Sequence, residues 1–191
     1  MKRIERDFVT LFNCLWYQDF PVAEGDGAVG RANWTIHLGV VIRQCAKLMG
    51  AKALFEHGGR TDAVLKYPDG QILSNVEWEW IESHKDKVEE LNKLRDQIAA
   101  SDTPPAFSTF ISYSTNSNLP AALEKAKELW AQCNKPLIFF VITFERKSGS
   151  RVFTELQTHF ISKGKHKKLR TQPALPWMVN RKKFNNSSDE E

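Results

Sequence analysis

The sequence predicts an α/β domain in which helices flank a mixed central sheet. Two patterns predict it: short runs of β-branched and aromatic residues bounded by Gly or Pro turns, and longer segments with apolar residues at helical spacing. The chain has 191 residues, of which 41% are hydrophobic and 26% charged, so it can bury a sizeable core. This composition excludes collagen-like and low-complexity classes. We expect one domain over residues 1–184 and a disordered acidic tail at residues 185–191.

Four helices are predicted from apolar residues that recur three and four positions apart. In the first, for example, Ile4 and Phe8 lie one turn apart. Gly50 ends the second helix and Pro104-Pro105 ends the third, because neither residue type continues a helix well. The predicted helices cover residues 2–17, 34–49, 84–100 and 118–133.

Six strands are predicted between and after these helices. The first three form a meander, because Gly58-Gly59 and Pro68-Asp69-Gly70 separate them. Residues 137–144 are apolar apart from one threonine, which is typical of a strand buried on both faces. This run is far shorter than the roughly 20 residues of a membrane-spanning helix, so we expect no contact with a membrane. The predicted strands cover residues 51–57, 61–67, 71–81, 106–113, 137–144 and 151–161.

The first residues and the cysteines indicate a cytoplasmic protein. Acidic residues fall within Met1–Asp7, where a signal peptide would need an apolar segment. Cys14, Cys45 and Cys133 are far apart and form no CxxC pair, which is typical of free thiols in a reducing compartment. We therefore expect neither a disulfide framework nor a zinc site.

Charge is unevenly distributed along the chain. The net charge is +4, but residues 147–183 carry ten basic side chains against one acid, which gives +9 and leaves −5 on the rest. A basic segment on a more acidic body is typical of proteins that bind polyanions, because each neutralised phosphate releases a counterion. A solvated basic tail is the alternative interpretation. The candidate nucleic-acid-binding residues are Lys163, Lys165, Lys167, Lys168, Arg170, Arg181, Lys182 and Lys183.

Two carboxylates are predicted to face each other on the second and third strands. If Asp69-Gly70 is a two-residue hairpin loop, Asp62 lies opposite Glu77, with Cβ atoms about 5 Å apart. Because strand side chains alternate, Glu79 shares their face. The alternative, a three-residue loop with a Gly bulge, would shift the pairing by one residue, so that one strand's side chains would change faces. The complementary apolar faces favour the two-residue register, or a compensating bulge that keeps it.

These carboxylates are candidates for a metal site. Like charges on paired strands repel unless a cation or a proton intervenes. Mg²⁺ prefers oxygen ligands and often takes one or two carboxylates with water and a substrate phosphate. We therefore expect Asp62 and Glu77 to bind Mg²⁺, and Glu79 to orient or deprotonate the attacking water. The alternative is an exposed hairpin face on which the acids are merely solvated.

Two groups of tryptophans have different expected roles. Trp78 and Trp80 alternate with the acids along the third strand, so they are predicted to face the core. Trp177 lies beside basic residues and is the better candidate for stacking on a base or contacting a partner.

The order of these elements resembles the core of the PD-(D/E)XK nuclease superfamily. Residues 34–113 follow that family's order of helix, three antiparallel strands, helix and strand, with Asp62 on the second strand and Glu77-Trp78-Glu79 on the third. The resemblance implies a restriction endonuclease-like core (α-β-β-β-α-β) with an additional helix and further strands. It also implies that Asp62 and Glu77 hold Mg²⁺, with Mn²⁺ as a substitute, and that residues 1–184 form a nuclease-like domain.

The chain departs from the family pattern in two places. Glu79 stands where most members have lysine, as in some restriction endonucleases of this fold that have a second Glu there. No acid occupies the helix at residues 34–49, where many members carry one. Candidates for the missing lysine are Lys66, Lys85 and Lys87, of which none is assigned, and candidates for the missing acid are Glu24, Asp26 and Glu56.

The resemblance implies a metal-dependent DNA endonuclease, of restriction or repair type. DNA is then the expected partner. Many nucleases of this fold dimerise to cut both strands, so a homodimer and a larger complex are both compatible with the resemblance. The alternative is a catalytically inactive nucleic-acid-binding or protein-interaction module with the same fold, which the absent motif lysine favours.

Overall fold

A computed structural model of the chain describes residues 1–25, 30–57, 61–85 and 88–179. It is an α/β structure built on one seven-stranded sheet, as predicted. The strands are β1 (Lys52–His57), β2 (Thr61–Lys66), β3 (Ile72–Glu79), β4 (Phe107–Ser114), β5 (Leu137–Lys147), β6 (Ser150–Ser162) and β7 (Lys165–Pro173). The longer helices of these residues are α1 (Arg3–Leu15), α2 (Arg31–Leu48), α3 (Glu90–Ala100) and α4 (Leu119–Leu129). The predicted tail at residues 185–191 lies outside the described residues.

The sheet is mixed, and its strands lie side by side in chain order. Strands β1, β2 and β3 form an antiparallel meander, β3, β4 and β5 are parallel, and β6 and β7 are antiparallel additions. Helices α3 and α4 make the two parallel connections, because parallel strands need a long crossover. No helix in the described ranges has the length and apolar composition to cross a bilayer.

Helices cover both faces of the sheet. Helices α1 and α2 pack on one face, and α3 and α4 pack on the other, each pair with its own buried cluster. Neighbouring residues of β4 show the alternation: Ile111 belongs to the α1 and α2 cluster, and Phe110 to the α3 and α4 cluster. Residues 137–144 of β5 are buried on both faces, as predicted.

The predicted register of β2 and β3 is confirmed, but the predicted two-residue loop is wrong. Ala63 pairs with Val76, as the sequence indicates, whereas Lys66 pairs with Ile72. A longer turn closes the hairpin, and a bulge between Leu65 and Lys66 restores the register. Because the bulge shifts the strand near the turn by one residue, Leu73 and not Ile72 enters the core.

Two helix starts differ from the prediction. Helix α2 begins at Arg31, after Gly30, and not at residue 34. Helix α3 begins at Glu90 and not at residue 84. Turns occupy residues 83–85, where the buried Glu82 carboxylate accepts a hydrogen bond from Asn118 Nδ2 at 2.8 Å and so fixes the chain before the helix.

Strand β7 was not predicted, because most of its side chains are polar and it lacks the apolar alternation of a half-buried strand. It lies at one edge of the sheet and pairs only with β6 in the described part of the chain. The turn that leads into it is Lys163-Gly164, both with positive φ, at 50° and 69°. Such pairs of left-handed residues form the tight turns of hairpins, so this dipeptide was the available signal.

Candidate functional site

The structure brings Asp62 and Glu77 together. They lie on neighbouring strands, one residue beyond the Ala63 and Val76 pair, and their carboxyl groups are close enough to shift each other's pKa. The Asp62 Oδ2 atom also accepts a hydrogen bond of 2.7 Å from the Trp78 backbone N–H. Glu77 is only 1% exposed. Asp62 is half-buried. The two acids therefore form a pair, buried at Glu77, on the sheet face that α3 covers, and we call them the acid pair.

A lysine that the sequence interpretation missed completes this pair. Lys93 on α3 places its Nζ atom 2.7 Å from Glu77 Oε1. Of the lysines considered from the sequence, Lys66 lines a separate pocket beside Asn75, Lys85 lies 3.8 Å from Glu82, and Lys87 lies outside the described residues. The positively charged side chain of the site thus comes from helix α3.

A polar row along α3 faces the hairpin. Glu90, Lys93 and Gln97 are spaced three and four residues apart, so they lie on one side of the helix, next to the buried row of leucines and isoleucine. Gln97 accepts a hydrogen bond of 3.0 Å from Asn75 on β3 and donates one to Thr61 on β2. This row was the signal in the sequence that could have identified Lys93.

Glu79 lies at the end of β3, beside a further carboxylate. Its Oε1 atom accepts a hydrogen bond of 2.7 Å from the Ile81 backbone N–H and lies 3.8 Å from Arg31 Nη2. Glu90 on α3 lies near Glu79, and its pKa is raised by burial first, and then by Glu79 and Asp62. Glu90 is thus a fourth acid of the site, which the sequence interpretation did not include.

Burial makes it costly for both acids of the pair to be ionised. It is the main cause that raises the pKa of Asp62 and of Glu77, while the Trp78 N–H lowers the first and Lys93 lowers both. Two carboxylates with one ammonium group are balanced when the pair keeps one proton. A bound cation would release that proton, because metal ligands must be deprotonated.

The donor atoms of the acid pair fit Mg²⁺. Two carboxylates are the usual protein contribution to such a site, with water and phosphate completing the coordination. Among the described residues, no group of three or more His, Cys, Asp or Glu side chains is placed to hold a metal ion. Any metal at the acid pair would therefore have Asp62 and Glu77 as its carboxylate ligands.

Without divalent metal, we expect the free energy of unfolding to fall as pH rises from about 7 to about 8. The folded-state pKa of Glu77 lies above its unfolded value, so the native state binds more protons here and loses stability as they leave. The loss is at most about 1.4 kcal/mol per pH unit. Burial lowers the pKa of His37 to about 4 and of His159 to about 3, so both are neutral in the folded state. In the unfolded state they bind protons below about pH 6.5, which opposes the effect of Glu77 there and confines the fall to higher pH.

Thermal melts in EDTA and in Mg²⁺ would measure this effect. We expect Mg²⁺ to raise the Tm more at the upper end of the pH range, because the cation replaces the proton. In EDTA, the Tm of the Glu77→Gln variant should not show this fall with rising pH. An equal slope in that variant and in the wild type would contradict the expectation.

The predicted basic residues do not lie beside the acids. Lys163 is in the turn before β7, and Lys165, Lys167, Lys168 and Arg170 are exposed on β7. Four strand spacings separate β3 from β7, which is about 19 Å. The remaining predicted residues, Arg181, Lys182 and Lys183, lie outside the described residues.

Arginines that were not among the candidate nucleic-acid-binding residues lie near Glu79. A cleft of about 600 Å³ beside the end of β3 is lined by Arg31, Arg146 and Arg151 together with Trp80 and Trp177. We call it the arginine cleft. It adjoins Glu79, because Arg31, which lines the cleft, also contacts this residue.

Comparison of the chain with protein-family models and with curated protein sequences gives no match. The function must therefore be inferred from the arrangement of the side chains.

Proposed function

We propose that the protein is a metal-dependent DNA endonuclease that hydrolyses phosphodiester bonds. The observation that supports it best is the pairing of the buried Glu77 with the half-buried Asp62, with Lys93 Nζ at 2.7 Å from Glu77 Oε1. Solvated surface acids would not be buried together. A site that works on a phosphate, in contrast, needs such acids beside a cation.

The order of elements around the pair supports a restriction endonuclease-like core. Helix α2, strands β1, β2 and β3, helix α3 and strand β4 follow one another as in the PD-(D/E)XK superfamily. Asp62 lies on the second strand of the meander and Glu77 on the third. In this proposal, α1, α4 and the strands β5 to β7 are additions to the core.

Each polar residue of the site has a distinct role in the proposal. Asp62 and Glu77 would hold Mg²⁺, or Mn²⁺ as a substitute, which offsets the charge on the attacked phosphate and favours ionisation of water. Lys93 adds a fixed positive charge beside the same phosphate. Glu79 orients the attacking water and accepts its proton. The lysine that most family members carry on β3 is supplied here by α3.

A plasmid-nicking assay tests the proposal. Supercoiled DNA is incubated with the protein in Mg²⁺, Mn²⁺ or EDTA, beside the Asp62→Ala and Glu77→Ala variants. We expect nicking in either metal, none in EDTA, and none above background in the variants. Asp96→Ala is a matched control, because this acid of α3 contacts Arg95 and not the acid pair. Equal nicking by all proteins would indicate a contaminating nuclease.

One observation favours a non-catalytic alternative with the same fold. Lys93 already balances one charge of the acid pair, so the pair does not need a metal to be stable. A nucleic-acid-binding or protein-interaction module would leave plasmid intact in every metal. Retention of DNA without cleavage, with affinity falling steeply as salt increases, would favour the binding module.

A further inference from the structure

The arginine cleft combines positive charge with aromatic surface. It lies between the start of α2, the β5–β6 hairpin and the segment that contains Trp177. Arg31 comes from α2, and Arg146 and Arg151 come from the two strands of the hairpin. A cleft with this lining is suited to a ligand that has both an anionic and a planar apolar part.

The charges of the cleft favour an anion. Two of its arginines keep most of their side chains in solvent, 63% for Arg31 and 57% for Arg146. The nearest acids, Glu79 and Glu82, lie at 3.8 Å and 3.4 Å, longer than a close charge-assisted hydrogen bond. Helix α2 also begins here with no acidic residue in its first turn, which adds partial positive charge.

Arg151 is held in a fixed position in the cleft. Its Nη1 atom donates a hydrogen bond of 2.7 Å to the Trp80 carbonyl. Its guanidinium carbon lies 4.2 Å from the Trp80 ring centroid and 4.6 Å from that of Phe144. A guanidinium placed in this way loses little further freedom when an anion binds.

Trp177 provides the aromatic surface of the cleft. Its ring is half-buried and stands nearly perpendicular to Phe20, with centroids 6.1 Å apart. The other aromatic residues of the lining are less available, because Trp34 and Phe153 are buried and Trp80 is covered by Arg151. A base entering the cleft would therefore stack on Trp177.

We propose that the arginine cleft binds one unpaired nucleotide of a nucleic-acid strand, with its phosphate on Arg146 and Arg151 and its base on Trp177. The inference rests on the proposed nuclease function and names the substrate class of that site, a strand with a single-stranded segment. Arg31 connects the arginine cleft with the carboxylate site, because it lines the cleft and contacts Glu79. The bound nucleotide would thus flank the phosphate that is cut.

Fluorescence anisotropy with a labelled single-stranded DNA of roughly 12 nucleotides tests the proposal. The measurement is made in EDTA, so that binding is separated from cleavage. The variants are Arg146→Gln, Trp177→Ala and Trp177→Phe. Lys147→Gln is a matched control, because Lys147 neighbours Arg146 on β5, contacts Glu145 at 3.3 Å and does not line the cleft. Thermal melts verify that each variant is folded.

We expect Trp177→Ala to weaken binding by about 5-fold to 100-fold, the usual range for the loss of one stacked base. Trp177→Phe should restore most of the affinity, since it keeps an aromatic face. Arg146→Gln should weaken binding and lower the slope of log affinity against log salt by about 0.7. Lys147→Gln should leave the slope closer to that of the wild type.

Equal effects of Arg146→Gln and Lys147→Gln, or unchanged binding by Trp177→Ala, would overturn the proposal. So would free thymidine monophosphate that competes as well as the strand, because the cleft would then bind a nucleotide and not a strand. The two proposals can fail separately. Strand binding that depends on the cleft without nicking contradicts only the nuclease, and nicking without such binding contradicts only the cleft.

Discussion

Replacement of Lys93 by methionine is expected to lower the rate of Mg²⁺-dependent nicking by at least about 100-fold, as the loss of one fixed charge at a reacting group usually does. Lys93 Nζ lies 2.7 Å from Glu77 Oε1, so it is the positive side chain nearest to the proposed metal ligands in the described residues. Methionine keeps much of the length and the helix propensity of lysine. The measurement is the single-turnover nicking rate under saturating protein.

Two further variants separate charge from packing. Arg95→Met removes another cation of α3, one that contacts Asp96 and not the acid pair, so its nicking rate should stay within about threefold of the wild type. Lys93→Arg keeps the charge but not the compact ammonium group, so partial activity is expected. If Lys93→Met nicks DNA as fast as Arg95→Met, Lys93 has no role in catalysis.

The pH profile shows how Lys93 acts. If it only holds Glu77 in the ionised form, nicking by Lys93→Met should recover at higher pH or at higher Mg²⁺ concentration. If it also stabilises charge on the attacked phosphate, the loss should persist at every pH. We expect the loss to persist, because a phosphate bound at the acid pair would lie near the ammonium group.

Replacement of Phe140 by alanine should cause the largest loss of stability, about 3 to 5 kcal/mol. Phe140 is fully buried at the centre of the sheet, and its ring stacks on Phe12 of α1 with centroids 3.8 Å apart. Truncation leaves a cavity that a β-strand between two others cannot close by moving. Urea unfolding monitored by circular dichroism measures the change.

Phe55→Ala is the matched control. Phe55 lies on the edge strand β1 and is 42% exposed, so its truncation should cost less than about 1 kcal/mol. Similar losses for the two variants would contradict the prediction that Phe140 is a central contact of the core.

The sequence predicted the parts of the fold that depend on local pattern. The apolar run at residues 137–144 identified β5, and the acids of β2 and β3 identified the pair Asp62 and Glu77. These predictions succeeded because strand alternation and hairpin register relate residues close in the chain. The loop length was wrong, since a bulge and a longer turn produce the same register as a two-residue loop.

The other parts of the site depend on contacts between distant elements. Lys93 reaches Glu77 only because α3 crosses the sheet above β2 and β3, and hydrophobic periodicity does not specify which polar row of a helix faces a hairpin. Arg31 and Arg151 are more than a hundred residues apart in sequence, yet they line one cleft. Strand β7 was missed because most of its own side chains are polar, and pairing with β6 rather than an apolar face makes it a strand.

The basic residues of β7 also affect whether the sheets of two molecules can pair edge to edge. The outer side of this strand carries backbone groups that could pair with a strand of another molecule. Lys165, Lys167 and Lys168 are exposed there, and two such edges brought side by side would place their ammonium groups against each other. The same lysines that give the chain its basic segment therefore disfavour the addition of another molecule's strand at the β7 edge of the sheet.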